Sequence, residues 1–387
     1  MKKQIGLKAD FLFEVSWEAC NKIGGIYTVI TSRSNIFKET LEDNYIFIGP
    51  DVWKETDNHP YFIEDKQLYK TWREVATAKG LKIRIGRFKQ ASNSVAILVD
   101  FTQYFTNKDQ IFANLWEKYG LDSITGGWDY VEPALFGYAA GKVIESFVEN
   151  NTTVQDRIVA QFHEWLTGSG VLFLNQFVPQ VATVFTTHAT VLGRAIAGHG
   201  WPLYGNLKSY NSEGVARELG VMAKYSLERS ACKNADVLTS VSEITRSEIL
   251  QFAQKDIDYI TPNGFDTSIV PVGKDYETAR LEARKKLNQV ARAIHGVEFD
   301  DKVLHITNAG RSEFRNKGID IFLSSLKQFI SEYDGERQIV VWLMVPGNQS
   351  GVRKEAQRRL GIPDTTFSGS LLTHHLYEPE QDKFLLH

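Results

Sequence analysis

Short apolar runs rich in β-branched residues recur along the chain, and longer segments with a helical spacing of apolar positions separate them. The runs predict strands at residues 11–15, 45–48, 82–85, 95–99, 158–162, 181–186, 237–240, 303–307 and 339–345. The helical spacing predicts helices over residues 133–148, 215–231, 244–252, 276–295 and 319–329. Because this alternation is typical of βαβ units, the pattern predicts an α/β fold with a mostly parallel, doubly wound sheet. Such sheets bind ligands at the carboxyl ends of their strands.

The chain length and the position of one charged helix predict the domain organisation. The 387 residues suffice for about two or three domains. The helix over residues 276–295 ends at Gly296, and a second α/β pattern begins after it. We therefore predict an N-terminal domain over residues 1–274, a connecting helix over 275–300 and a C-terminal domain over 301–387. Only two clear strands follow residue 301, so we expect a second domain that is incomplete in this chain.

Composition and charge exclude several classes of protein. Hydrophobic residues make up 43% and charged residues 24%, and 44 Lys+Arg against 47 Asp+Glu leave a net charge of −3. These values exclude a disordered chain and argue against nucleic-acid binding. Cys20 and Cys232 lie far apart, which offers neither a disulfide framework nor a zinc site and favours a cytoplasmic location. No apolar run reaches the ~20 residues of a membrane span, so we expect no membrane association.

The first candidate for ligand chemistry is the segment from Asn21 to Tyr27, where Gly24 and Gly25 precede a helix expected from Tyr27 onward. Glycines at this position allow backbone N–H groups to approach a phosphate or a sugar. The alternative is a plain strand-to-helix turn. The spacing matches neither a dinucleotide-binding fingerprint nor a P-loop.

Two histidines follow two successive predicted strands. His163 and Glu164 come directly after the strand at 158–162, and His188 follows the next strand, with Arg194 six residues later. Polar groups at strand carboxyl ends are in position to bind a sugar. The alternatives are a structural role for His163 and a loop role for His188. The spacing is not H-E-x-x-H, so it does not support a zinc site.

A third group of candidates is basic. Arg311, Arg315 and Lys317 lie between the strand at 303–307 and the helix at 319–329. Cations at such a junction, together with the helix dipole, are suited to a diphosphate. The alternative is a solvated basic loop.

Taken together, these segments resemble the glycogen synthases of animals and fungi, glycosyltransferase family 3, which elongate glycogen from UDP-glucose. The similar segments occur in the family's order at residues 13–15, 24–29, 162–165, 186–190, 193–194, 261–264, 309–311 and 316–318. Residues 371–377 also resemble a stretch from the middle of those enzymes.

The resemblance implies a retaining glycosyltransferase of the GT-B type, in which two Rossmann-like domains face a cleft. It implies transfer of glucose from UDP-glucose, or from another nucleotide-glucose, to the non-reducing 4-OH of an α-1,4-glucan such as glycogen. It also implies that no metal and no cofactor takes part. Nucleic acids and membranes are not among the partners that it implies.

The resemblance also implies site residues. The catalytic residues implied are Arg311, Lys317 and His188: the two cations would hold the donor diphosphate, and His188 would contact the glucosyl unit. Asn263 would lie on the hinge side of the cleft. The substrate-binding residues implied are Gly24, Gly25, Arg194, His163, Glu164 and Asn263.

The C-terminal segment departs from the family. Complete members continue beyond the equivalent of Tyr377 and carry a Glu-rich E-x-x-E-P-x-G motif, whereas residues 378–380 read Glu-Pro-Glu. The sequence therefore predicts a C-terminally truncated synthase. The alternative is a catalytically incompetent glucan-binding or regulatory fragment. The basic helix with Arg353, Lys354, Arg358 and Arg359 is interpreted either as a solvated face or as a subunit contact in a homo-oligomer.

Overall fold

The computed structural model describes residues 9–55, 58–265, 267, 270–360 and 372–386. The chain divides into two compact units, residues 1–266 and residues 267–387. A helix at Gly273–His295 occupies most of the segment expected to connect two domains, and it belongs to the second unit. The domain limits drawn from the sequence stay a prediction. Leu371, in the family-like tail, lies outside the described residues.

The first unit contains one large sheet. Its strands are β1 (Phe11–Val15), β2 (Tyr45–Pro50), β3 (Phe62–Glu64), β4 (Ile83–Phe88), β5 (Ser94–Val99), β6 (Ile158–His163), β7 (Val181–Thr187), β8 (Val237–Ser240) and β9 (Tyr259–Ile260). Across the described sheet their order is β3-β4-β5-β2-β1-β6-β7-β8-β9. The pairs of β4 with β3 and β5 are antiparallel, and the other pairs are parallel. The predicted α/β class and mostly parallel sheet are thus confirmed.

Helices connect most of these strands. They are α1 (Gly25–Ser32), α2 (Ser34–Leu41), α3 (Lys70–Ala78), α4 (Lys108–Tyr119), α5 (Trp128–Asn151), α6 (Gly168–Phe177), α7 (Val191–Gly198), α8 (Ser212–Glu218), α9 (Met222–Asn234) and α10 (Glu243–Phe252). Short 3-10 helices lie at Glu42–Asn44, Phe101–Asn107, Trp165–Thr167 and Leu207–Ser209. Among the described residues, no helix is both long enough and apolar enough to cross a membrane.

The single helix predicted over residues 215–231 is wrong, because two helices, α8 and α9, occupy this segment. Gly220 adopts a φ of 67°, in the left-handed region, and its N–H donates to the carbonyl oxygen of Arg217. A glycine in this conformation ends a helix without the steric penalty that a Cβ would bring. The apolar spacing continues across the break, so periodicity alone does not reveal it.

Strand β1 separates two apolar cores. Phe13 and Val15 pack in the larger core, which also contains the buried face of α5. Leu12 points to the opposite face and packs with Tyr27 of α1. Because side chains alternate along a strand, Glu14 must share the face of Leu12, and it is completely buried there. The sheet thereby holds a carboxylate inside the protein, close to its carboxyl edge.

The described residues of the second unit form two small sheets. Its strands are β10 (Leu304–Ala309), β11 (Ile339–Met344), β12 (Gln349–Val352) and β13 (His374–Leu376), and its helices are α11 (Gly273–His295), α12 (Ile319–Glu332), α13 (Lys354–Arg359) and α14 (Lys383–Leu386). A 3-10 helix lies at Pro379–Gln381. Strands β10 and β11 are parallel, and β12 and β13 are antiparallel. Gly296 ends α11 with a φ of 65°, which confirms the predicted C-cap.

Candidate active site

The glycine pair and the two histidines of the first unit follow three neighbouring parallel strands. Strand β1 pairs with β6, and β6 pairs with β7. Gly24 and Gly25 follow β1, His163 is the last residue of β6, and His188 follows the last residue of β7. Carboxyl ends of adjacent parallel strands meet at one edge, so the topology gathers residues that are far apart in the sequence.

Glu14 is the anionic centre of this edge. Its carboxylate accepts hydrogen bonds from Nε of Arg33, at 3.1 Å, and from Nη2 of the same side chain. The hydroxyl of Tyr45 and Nε2 of His163, at 3.0 Å, also contact it. Burial alone would raise the pKa of Glu14, but the Arg33 charge and the hydrogen bonds from His163 and Tyr45 outweigh it and lower the pKa to about 2. Glu14 is therefore charged at neutral pH.

The two histidines form a direct pair. Nδ1 of His163 lies 3.0 Å from Nε2 of His188, and the ring centroids are 5.3 Å apart. Burial, followed by the nearby His163 and Arg33, lowers the pKa of His188 to about 3. Burial also lowers the pKa of His163, against the opposing effect of Glu14. Both rings are therefore neutral at pH 7, and neither is an imidazolium that could act as a general acid.

Glu164 supports the backbone of the His188 loop. Its Oε1 accepts hydrogen bonds from the backbone N–H groups of His188 and Ala189, both at 3.0 Å. Glu164 has a φ of 66°, an uncommon conformation for a residue other than glycine. Burial raises its pKa to about 6, although the charge of Arg194 and the two N–H groups act in the opposite direction. The Glu164 carboxylate thus holds the backbone of the loop that contains His188.

Two further buried glutamates hold the next residues of this loop. Glu228 of α9 accepts from the backbone N–H of Val191, at 3.0 Å to Oε2. Glu248 of α10 accepts from the hydroxyl of Thr190, at 2.5 Å, and from that of Tyr204, at 2.9 Å. We call Glu164, Glu228 and Glu248 the glutamate clamp, since together they bind residues 188–191. Sequence reasoning missed Glu228 and Glu248; the available signal was a Glu on the otherwise apolar face of each helix.

Arg194 lies in the first turn of α7, and its side chain is exposed. Its positive charge opposes the rise that burial causes in the pKa values of Glu164 and Glu228. The pKa of Glu228 nevertheless lies well above its usual value, because burial and the Glu164 charge dominate. The region beside His188 therefore combines the exposed Arg194 with two acids, Glu164 and Glu228, whose pKa values are raised.

The glycine pair lies at the start of α1, two residues earlier than the helix expected from Tyr27. Oε2 of Glu18 accepts from the backbone N–H groups of Gly24, at 2.9 Å, and Tyr27, at 2.8 Å. A Cβ on Gly24 would lie 2.8 Å from Oε1 of Glu18, whereas one on Gly25 would meet nothing within 4 Å. Glu18 was missed in the sequence, where the signal was an acidic residue shortly before a helix N-terminus.

In the second unit, the basic loop connects β10 to α12 as predicted. Nη2 of Arg311 forms an ion pair with Oε1 of Glu313 at 3.0 Å, and the Arg311 side chain is 44% exposed. Lys317 is exposed, and its stem lies beside Gly310. Gly318 precedes α12 with a φ of 63°. Arg311 and Lys317 thus share one loop at the carboxyl edge of β10.

Asn263 lies in an exposed segment after β9, near the end of the first unit. It takes no part in the clusters around Glu14 and Glu164. A cleft of about 320 Å³ lies entirely within the second unit and includes Ser312 and Phe314 of the basic loop together with Asn348, Glu378 and Asp382. Its lining is mostly polar and acidic, and it includes neither Arg311 nor Lys317.

Residues 14–362 match the family model described as glycogen synthase. A glycogen [starch] synthase of Caenorhabditis elegans is 34% identical over 82% of this chain and 48% of its own length. The liver glycogen [starch] synthase of Rattus norvegicus is 29% identical over 89% of this chain and 50% of its own length. This chain thus spans about half the length of these curated relatives. A solved structure of trehalose-6-phosphate synthase OtsA is 13% identical, with a TM-score of 0.46, over 97% of this chain and 75% of its own. The family match over most of the sequence shows that the chain belongs to the glycogen synthase family.

Proposed function

We propose that the protein transfers glucose from UDP-glucose, or from another nucleotide-glucose, to the non-reducing 4-OH of an α-1,4-glucan with retention of configuration. The observation that carries the proposal is the extent of the family match, which includes both the His188 loop and the loop with Arg311 and Lys317. The first loop offers polar groups suited to a sugar. The second offers two cations suited to a diphosphate.

The proposed reaction breaks the bond between glucose C1 and the diphosphate oxygen and forms a bond from C1 to the acceptor O4 on the same face. Negative charge grows on the departing phosphate, and Arg311 and Lys317 stabilise this charge more strongly than they stabilise the ground state. The acceptor hydroxyl gives its proton to the departing phosphate. No pair of side-chain carboxylates at glycosidase spacing is required.

The remaining assignments concern binding. His188, neutral at pH 7, would contact the glucosyl unit by hydrogen bonding, with Arg194 close to the phosphates. Gly24 and Gly25 would be substrate-binding residues of the first unit, since a ligand can approach Gly25 without meeting a side chain. His163 and Glu164 would contribute by supporting His188.

We further propose that transfer needs neither a metal nor another cofactor, because Arg311 and Lys317 supply the positive charge. The partners would be glycogen and the nucleotide-glucose, and the location would be cytoplasmic. The short helix α13 carries exposed basic side chains, which suit either solvent or a homo-oligomer contact.

The alternative to transfer is a glucan-binding or regulatory role without turnover. The two functions are separated by incubating the 387-residue chain with UDP-glucose in the presence and absence of glycogen. Release of UDP that depends on glycogen supports transfer. Sedimentation of the protein with glycogen, without UDP release from UDP-glucose or ADP release from ADP-glucose, supports the second function.

A further inference from the structure

A continuous chain of hydrogen bonds runs from the buried Glu14 to His188. Oε1 of Glu14 lies 3.0 Å from Nε2 of His163, and Nδ1 of His163 lies 3.0 Å from Nε2 of His188. We infer that Glu14 and His163 are positioning residues that fix His188 in one tautomer, with its proton on Nε2 and its Nδ1 lone pair available to a ligand. This inference deepens the proposed function, on which the role of His188 in binding a sugar rests.

The direction of the first hydrogen bond follows from the donors around Glu14. A carboxylate only accepts, so the proton between Glu14 and His163 belongs to Nε2 of His163. Nη2 of Arg33 also lies 3.2 Å from this nitrogen, but its two hydrogens already have acceptors in Glu14 Oε1 and in Gln161 Oε1, at 3.0 Å. A bare Nε2 would direct its lone pair at the carboxylate, which is repulsive. His163 therefore donates to Glu14.

The second hydrogen bond then has only one direction. With its proton on Nε2, neutral His163 presents a lone pair at Nδ1, and Nε2–H of His188 donates to it. The charged groups that act on His188 are Arg33, Arg194 and Glu14, and the two cations together with burial keep the ring neutral. The remaining nitrogen of His188, Nδ1, is consequently an acceptor.

The backbone of His188 is fixed independently of its ring. Glu164 accepts the N–H groups of His188 and Ala189, and Glu228 accepts that of Val191. The glutamate clamp thus sets where the loop lies, while His163 sets the ring orientation and the position of its proton. An acceptor held in this way matches the hydroxyl group of a sugar, which can donate one hydrogen bond.

The test is a long-range ¹H–¹⁵N spectrum of the full chain labelled with ¹⁵N-histidine, recorded between about pH 6 and pH 8. We expect His188 to show a protonated, pyrrole-type Nε2 and an unprotonated Nδ1 throughout this range. A proton on Nδ1, or a charged ring, would overturn the inference. The spectrum needs no turnover, so a chain that fails to transfer glucose still gives a decisive result.

Two variants of His163 separate positioning from a merely structural role. The amide oxygen of Asn can take the place of Nδ1, so His163→Asn should preserve the His188 tautomer. Gln places its amide nearer to Nε2, so His163→Gln should keep the bond to Glu14 and yield a mixture of His188 tautomers. His199→Gln, at an exposed histidine of the same unit, is the control and should leave the His188 signals unchanged. Equal His188 spectra for both His163 variants would contradict the inference. If either variant fails to fold, the spectrum of the unsubstituted chain decides.

Discussion

At the scale of single residues, the four buried glutamates near His188 differ in what compensates their charge. Glu14 has the guanidinium of Arg33 in direct contact, and its pKa falls to about 2. Glu164 has two backbone N–H groups and the charge of Arg194, but burial outweighs them and raises its pKa to about 6. The same residue type is thus a permanent anion in one position and a titrating group in another, because the nearest donors differ.

The raised pKa of Glu164 predicts a pH-dependent contribution to stability. Since the folded pKa of Glu164, about 6, exceeds the ordinary glutamate pKa of 4.5, protonated Glu164 favours the folded state below pH 4.5, and this contribution is lost as the pH rises through 6. The change in unfolding free energy caused by Glu164→Gln should therefore be more favourable at pH 7 than at pH 4.5. We expect this difference to be on the order of 1 kcal/mol. Urea unfolding of both chains at the two pH values measures this difference. The exposed Glu39→Gln is the control, and an E164Q effect equal at both pH values would refute the prediction.

A second residue-scale prediction concerns Arg311. Its replacement in Arg311→Ala removes one charge-assisted contact to the departing phosphate, so glucose transfer should fall about 10²-fold or more, while sedimentation with glycogen is unchanged. Lys327→Ala removes an exposed cation of α12, outside this loop, and should have little effect. The rate of UDP release and, in parallel, UDP binding measured by titration calorimetry compare the two variants. Equal behaviour of both would remove Arg311 from the site.

At the scale of elements, the start of α7 depends on a close contact between α7, α10 and the loop that contains His188. Thr190 caps the helix, since its hydroxyl accepts the N–H of Gly193 at 2.9 Å. The same hydroxyl donates to Glu248 of α10. Because Gly193 has no side chain, the carboxylate of Glu248 can lie against the first turn of α7. The loop that carries His188 is thereby joined to α10 through the helix cap.

This contact predicts a steric effect at Gly193. A Cβ there would lie 2.1 Å from Oε2 of Glu248 and 2.6 Å from the Thr190 hydroxyl. Gly193→Ala should therefore displace the buried carboxylate, disturb the cap and cost roughly 1–3 kcal/mol of unfolding free energy. A Cβ on Gly205 would meet nothing within 4 Å, so Gly205→Ala is the matched control. Urea unfolding that ranks the two substitutions equally would contradict the packing at Gly193.

At the scale of the whole molecule, sequence patterns predicted the parts of the fold that depend on local periodicity. The buried strands β2 and β5 are mostly apolar runs, and such runs are visible directly in the sequence. Strands β3 and β9 are too short to produce such a pattern. Glu228 and Glu248 reach the His188 loop from helices that follow it in the chain, and only tertiary packing brings them there. The sequence thus indicated which strand ends carry the candidate site but not the acids that support its loop.

The two units also differ in how well their side chains are buried, which predicts where a protease cuts first. The first unit holds large apolar cores, whereas the described core of the second unit is centred on Ala291, Val303 and Val340. Every described residue from 261 to 283 is exposed, and this stretch contains Lys274 and Arg280. Both residues lie in the first turns of α11, which bury no side chain before residue 284, so brief trypsin treatment should cut there first and leave an N-terminal fragment that keeps its far-UV circular dichroism. Mass spectrometry identifies the cleavage sites. Early cleavage within residues 9–255 would contradict this prediction, and one cooperative unfolding transition for the whole chain would show instead that the two units are stabilised as one.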